Sequence, residues 1–462
     1  MLESLGSIAL SAFLFLLFSR LTDLYISGLH LPLITSVTCL AILILRGRFG
    51  VIYNSVPGLL LTGLTIWYLM ALPFSSWRGG SVQIFREDWS KSYLVFVLIA
   101  GLVTTSTHAL RAIRIVGYGL FAAAIFSFVA GLNVLGRVSL QQGAYGNPND
   151  YGTMLAIGAT LWWFFAHNGR YHPLLRLVSI VIALFICYVL LRTGSRAALL
   201  SVVAAAAAAF FYYSMQGRAI FLVTSFVGAV LLVGAMPDTL QRRFATFFSQ
   251  ADADSADEET LQQQAVGSSH SRLELLRQSV ILTLKNPVFG VGMGMFAVAE
   301  NDLAKESGRK KGQWLVTHNT YTQVSSENGI LAILLFVGTI CSSLLMLRRI
   351  RTERLLEHHP QGAEIALAAQ ALNLAVISMM VNFMFSSMAY LWLLPALAGL
   401  CYALYATTRT EAAYLRRSIA AGTPLPEQTA QLSSSPARPP TRPTFPPVPN
   451  LTRRPANALR RT

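Results

Sequence analysis

Charge is what this sequence has least of. Only 12% of its 462 residues are Asp, Glu, Lys or Arg, while 54% are hydrophobic. Soluble domains carry roughly 25% charged residues. A water-soluble domain of this length has no use for so much apolar surface, which excludes an ordinary soluble enzyme. Cysteine is scarce as well. Cys39, Cys187, Cys341 and Cys401 lie in apolar segments without CxxC or His-paired spacing, so they read as small buried hydrophobes, not as disulfides or metal ligands. No P-loop is present for a nucleotide, and no repeat argues for an inverted-repeat transporter. The basic excess (36 Lys+Arg against 21 Asp+Glu, net +15) is not interleaved with stacking aromatics, which sets nucleic acid aside as a partner.

What abounds is the apolar run of helical length. A membrane span needs roughly 20 apolar residues. Such runs fall near residues 4–19, 29–45, 56–74, 91–108, 113–132, 151–167, 174–191, 196–213, 218–236, 326–347, 363–387 and 389–407. The expected fold is all-α: a polytopic helical membrane protein of about 12 transmembrane helices, with one large outer loop that itself contains helices. The first run lacks a basic leader and a small-residue cleavage site, and reads as a retained span. Arg46 and Arg48, Arg111 and Arg114, Arg170 and Arg176, Arg218, then Arg348, Arg349, Arg351 and Arg354 alternate so as to share one side, which the positive-inside rule makes cytoplasmic. Residues 1–236 then hold helices one to nine, 237–325 the loop on the opposite face, and 326–408 helices ten to twelve. Residues 409–462 form a basic, Pro-rich cytoplasmic tail expected to be disordered near anionic lipid.

The outer loop opens with a polar, acidic stretch from Gln250 to Ser269, expected to be mobile. A helical pattern of Leu273, Leu276, Val280 and Leu284 follows, stopped by Asn286-Pro287 and then by Gly290, Gly292 and Gly294. Its apolar stripe suits either the bilayer surface or the span bundle.

A few polar residues stand out against this background. Arg192 and Arg196, in Leu191-Arg192-Thr193-Gly194-Ser195-Arg196, sit on the outer side, where positive charge is disfavoured. Gly194 permits a tight turn that aims both guanidiniums into one space, where their planar forks suit phosphate; the plainer reading is arginines snorkelling to headgroups. Arg272 stands near the start of the loop helix, aimed at an anion or paired with Glu274, while Arg277 reads as a solvated residue. His318, in Thr317-His318-Asn319, ends the loop where a lipid headgroup meets a water-borne acceptor, and a neutral imidazole there suits a sugar hydroxyl. Glu327 and Gly329 mark the mouth of the next span. Asn147 and Asn149, in Asn147-Pro148-Asn149-Asp150, cap a helix and are within reach of a sugar. Asp252-Ala253-Asp254 matches a metal-holding DxD pattern, but the acidic run with Asp257, Glu258 and Glu259 accounts for it without a metal.

Taken in order, the NPND turn, TGSR, the SR-containing loop helix, NPxxGxGxG and HN followed by a glycine resemble the O-antigen ligase and polymerase superfamily. The motifs run from about residue 140 to 340, and the topology fits over nearly the whole chain. The resemblance implies a metal-independent, cofactor-free inverting glycosyltransferase in the bacterial inner membrane. It implies an undecaprenyl-diphosphate-linked glycan as donor, the lipid A-core as acceptor and a periplasmic site. By the same resemblance Arg196, Arg272 and His318 are catalytic, with Asn319 beside them; from their placement Arg192, Asn147 and Asn149 are further candidates for binding diphosphate or sugar. Asn319 and Gly329 fit the pattern H-[NSQ]-x9-G, whereas Ala332 stands where Gly, Thr or Tyr is usual. A polymerase, a protein O-oligosaccharyltransferase and a non-enzymatic glycan-lipid transporter are the alternatives. Transporters keep ionisable groups at the midplane of their spans, which are nearly free of them here.

Overall fold

A computed structural model describes residues 2–22, 27–134, 137–140, 145–235, 241, 256–309 and 311–421. The principal helices are α1 (Leu2–Ser19), α2 (Leu31–Arg46), α3 (Val56–Ala71), α4 (Ser90–Leu102), α5 (Ser106–Ala130), α6 (Pro148–His167), α7 (Pro173–Arg192), α8 (Arg196–Phe210) and α9 (Met215–Gly234). After them come α10 (Ala256–Lys285), α11 (Phe296–Glu306), α12 (Thr320–Arg351), α13 (Gly362–Phe383) and α14 (Leu393–Ala420). Between α5 and α6 a short antiparallel hairpin pairs β1 (Leu132–Val134) with β2 (Arg137–Ser139), the one departure from an all-α chain among the described residues.

Local chemistry sets the helix starts. Ser55, Thr105, Asn147, Ser195 and Asn319 each accept a backbone N–H of the first turn, and Pro148 and Pro173 occupy positions where no N–H is needed. Each of the twelve apolar runs falls on a helix, with shifted ends: the fourth stops at Leu102, and the last continues to Ala420. Among the described residues seven helices are long and apolar enough to cross a membrane, and α2 and α8 are shorter apolar helices. Residues 422–462, the bulk of the expected tail, lie outside the described residues.

The core is aromatic and aliphatic, centred on Tyr68, Trp89, Phe96, Phe164, Phe336 and Phe383. Its outer surface is apolar too: α9 has no buried residue, and Ile220, Val223 and Phe226 stand exposed, as suits lipid contact. Helix α6 lies at the centre, packed on α5, α7, α8 and α13.

The two ends of this bundle differ in chemistry. At one end the basic loops meet buried carboxylates. Glu364, at the start of α13, accepts from Arg114 and from Asn168 at 3.1 Å, with Arg170 at 3.9 Å. Nearby, Glu411 accepts from the Ser106 backbone at 2.8 Å and from His359 at 2.9 Å, and Arg351 stacks on Tyr212. Helix α6 runs from Asn149 to this cluster and α13 runs back from it. Twenty residues of α6 measure about 30 Å, the thickness of a bilayer core. The opposite ends of the same helices carry the candidate site.

Candidate functional site

Three segments distant in sequence meet at that opposite end. Thr193-Gly194-Ser195 turns the chain from α7 into α8; Gly194 takes φ +60°, and Ser195 Oγ caps α8 by accepting from Ala198 N. Arg196 is thereby the first residue of α8, beside the N-terminal end of the helix dipole, a poor place for a cation unless an anion is to sit there. Arg137, on β2, donates to Thr193 O at 2.7 Å and to Asn149 Oδ1 at 2.7 Å, joining the hairpin to both the turn and α6. Arg272 arrives from α10.

Together Arg137, Asn149, Gly194, Arg196, Ala197, Arg272 and Phe385 line one cavity of about 40 Å³, room for a few waters or a single phosphoryl group. Three of the seven are arginines and none is a carboxylate. Burial, and then the charge of Arg196, hold the Arg272 guanidinium below its ordinary pKa. Gathering cations in a half-buried space is costly unless an anion neutralises them.

His318 stands beside this cavity, on a segment without regular structure. Its backbone N–H donates to Ser387 Oγ at 2.8 Å, two residues from the cavity wall at Phe385, and Thr317 Oγ1 lies 3.1 Å from the same Ser387 Oγ. Ser271 Oγ donates to Gln313 Oε1 at 2.6 Å, tying the helix that carries Arg272 to the segment that leads to His318. Burial, and then Arg272, push the His318 pKa below its usual value, which favours the neutral ring near pH 7. His318 has φ +53°, in the left-handed region that non-glycine residues rarely occupy.

The other expected residues are placed differently. Arg192 lies 5.5 Å over the Phe128 ring, outside the cavity lining. Asn147 and Asn319 both serve as caps: Asn147 Oδ1 accepts from Asn149 N at 2.9 Å and Asn319 Oδ1 from Thr322 N at 3.1 Å. Asn319 Nδ2 also donates to Met384 O at 3.2 Å. Asn149 alone of the three asparagines lines the cavity. Arg272 is not near a helix start, because α10 begins at Ala256, inside the stretch expected to be mobile. Nor does Glu274 partner it: that carboxylate accepts from Gln278 and lies 4.0 Å from Arg277. The face of α10 that packs inward is not the predicted stripe: Leu275 and Leu282 pack against Met295, Phe296 and Leu303, while Leu273, Val280 and Leu284 stay exposed and Leu276 is half-buried. Asp252 and Asp254 lie outside the described residues.

The glycine-rich motif after α10 is a seam rather than an anion cradle. Residues 287–296 run along a break in α12 at Gly329, whose φ is +82°. Val291 N donates to Ser326 O, Gly292 N to Glu327 O and Ile330 N to Pro287 O, at 2.8–2.9 Å. The buried Glu327 carboxylate accepts from Gly294 N at 2.9 Å, Phe296 N at 3.3 Å and the Tyr390 hydroxyl. It therefore fastens the loop and does not face the cavity. Three wall residues escaped the reading of the sequence, Arg137, Ala197 and Phe385. Arg137 carried the signal that marked Arg196, a cation on the side where the topology disfavours one.

The bundle thus pairs membrane-length apolar helices with a cavity lined by three arginines at one of its ends. Residues 180–337 match the family model described as O-antigen ligase, so over that segment the chain carries an O-antigen ligase family domain. The matched segment includes Arg196, Arg272 and His318. Comparison with curated proteins gives no match.

Proposed function

We propose that this protein is an O-antigen ligase: it transfers a glycan from undecaprenyl diphosphate to a sugar hydroxyl of lipid A-core, with its site on the periplasmic face of the inner membrane and about twelve spans. One observation carries the reading: Arg196 and Arg272, from distant segments of the matched domain, line a single cavity with Arg137 and no carboxylate. One phosphoryl group of a diphosphate is the anion such a cavity suits, since each guanidinium offers a planar fork to phosphoryl oxygens.

In the proposed reaction the acceptor oxygen attacks the anomeric carbon on the face opposite the diphosphate. The new C–O bond forms as the bond to the diphosphate breaks, inverting the centre. The electron pair leaves on the diphosphate, where Arg196 and Arg272, with Arg137, meet the growing charge. Fixed donors of this kind contribute about 3–4 kcal/mol each to a transition state. His318, neutral and beside Arg272, accepts or orients the hydroxyl proton, an effect of about 10²–10⁴ in rate. Asn149 holds Arg137 in place.

Reconstitution with a polyprenyl-diphosphate glycan and a lipid A-core acceptor tests this. Appearance of capped lipid supports it; absence of a new glycosidic bond, with glycan lipid merely moved between leaflets, would overturn it in favour of transport. Gene disruption separates ligase from polymerase: loss of the ligase leaves lipid-linked polymer and uncapped core, whereas loss of a polymerase leaves core capped with single repeat units.

A further inference from the structure

The segment that leads to His318 displays an unusual surface. It is pinned at one end where Gly312 N donates to Asn301 Oδ1 at 3.1 Å and Gln313 N to the buried Glu300 carboxylate at 2.7 Å. It is pinned at the other by the contacts of Thr317 and His318 with Ser387. Between the pins stand Trp314, Leu315 and Val316, 56%, 43% and 50% exposed, although Gly312 and Thr317 on either side are buried. Trp314 has φ +54° and His318 φ +53°, so left-handed residues stand at the first of the three and two residues after the last. Such conformations are unfavourable outside glycine and persist when the surroundings impose them. Three large apolar side chains held outward by a doubly pinned strap are not an accident of loop composition.

Where the strap sits identifies what covers it. His318 lies just before the start of α12 and against the end of α13, both membrane-length helices. The 22 residues of α13 climb about 33 Å from the Glu364 cluster, which brings Met384 and the strap to the edge of a bilayer core. Met384 is itself 53% exposed, and its carbonyl accepts from Asn319, so the apolar surface of the strap continues onto that of a span. Lys311 flanks the strap and is exposed, matching anionic headgroups. A tryptophan among aliphatic side chains beside a cation has the composition of an interfacial anchor.

We infer that Trp314, Leu315 and Val316 insert into the lipid leaflet on the cavity side, so that the bilayer itself holds the strap and sets the height of His318. Insertion is shallow, because the extended backbone of the strap needs the wet headgroup region for its N–H and C=O groups. This rests on the membrane reading of α12 and α13 and not on glycosyl transfer.

The test uses the full-length protein with Cys341, the exposed cysteine, replaced (Cys341→Ala) and Leu315→Cys carrying an environment-sensitive fluorophore. It is reconstituted in phosphatidylethanolamine–phosphatidylglycerol vesicles, with Val316→Cys as a second labelling position and Ser307→Cys as an aqueous control. Emission at 315 and 316 should be blue-shifted, quenched more by shallow than by deep nitroxide lipids, and protected from iodide, with the control showing the reverse. Iodide quenching at 315 and 316 would place the strap in water and overturn the inference. Protection from both lipid and aqueous quenchers would place it under protein, such as a second copy, and overturn it as well.

Discussion

Arg196 and Arg272 line the same cavity, and the charge of the first disfavours the charge of the second. A guanidinium whose charge both burial and its neighbour oppose adds little to the fold through that charge. Arg272→Ala should therefore lower transfer by about 10²–10³ while leaving the thermal midpoint in detergent unchanged or slightly raised. Arg272→Lys should fail nearly as badly, because an ammonium lacks the planar fork. Parallel loss of transfer and of folded protein would show that the arginine is structural.

His318 sets an expectation for pH. If the neutral ring takes the acceptor proton, activity is present above the pKa of His318 and falls as pH drops through it. That pKa lies below the ordinary histidine value of about 6.5, because burial and then Arg272 oppose the imidazolium. The acidic limb of the rate profile should accordingly lie on the acid side of 6.5 and vanish in the residual activity of His318→Ala. A limb that survives unchanged in that variant assigns it to another group.

Much of this arrangement was legible in the sequence, for definite reasons. Apolar runs of about 20 residues announce helices because the bilayer tolerates little else. Arg196 stood out as a cation on the side where the topology disfavours one, His318 by its place at the end of the loop, and Arg272 only through the family resemblance. The polar contacts of Arg137 were not legible, since they join a hairpin to Thr193 and Asn149 through pairings that no periodicity encodes. Arg192 was overvalued for a related reason: its sequence neighbours suggest a shared space with Arg196, but at the last turn of α7 it points at Phe128. The start of α10 was misplaced because its first turns are too polar to show an apolar stripe.

Arg137 offers a graded test. Its guanidinium donates to Thr193 O and to Asn149 Oδ1. Arg137→Ala removes one of three cavity cations and should cost transfer on the scale of the other two. Asn149→Ala removes one of these contacts and should cost about tenfold, near 1.4 kcal/mol, just under the range of about 1.5–3 kcal/mol for a hydrogen bond to a charged group. The double variant should be no worse than Arg137→Ala alone, because Asn149 acts through that guanidinium. Additive losses in kinetic assays would give Asn149 its own contact with substrate.

The seam at Gly329 predicts a failure of a different kind. A Cβ at Gly329 would lie 1.8 Å from Val288 O, and one at Gly290 would lie 2.3 Å from Asn328 N, both at positive φ. Neither backbone can yield without parting residues 287–296 from α12, and that contact fixes the end of the helix bearing Arg272. Gly329→Ala should therefore cost more than about 2 kcal/mol of loop docking. It should expose residues 287–309 to limited proteolysis and abolish transfer although every cavity residue is retained. Gly63→Ala is the matched control, since its Cβ would meet only Leu335 at 3.7 Å in ordinary contact. Equal protease resistance and equal transfer in the two variants would mean that the loop is held by something other than this seam.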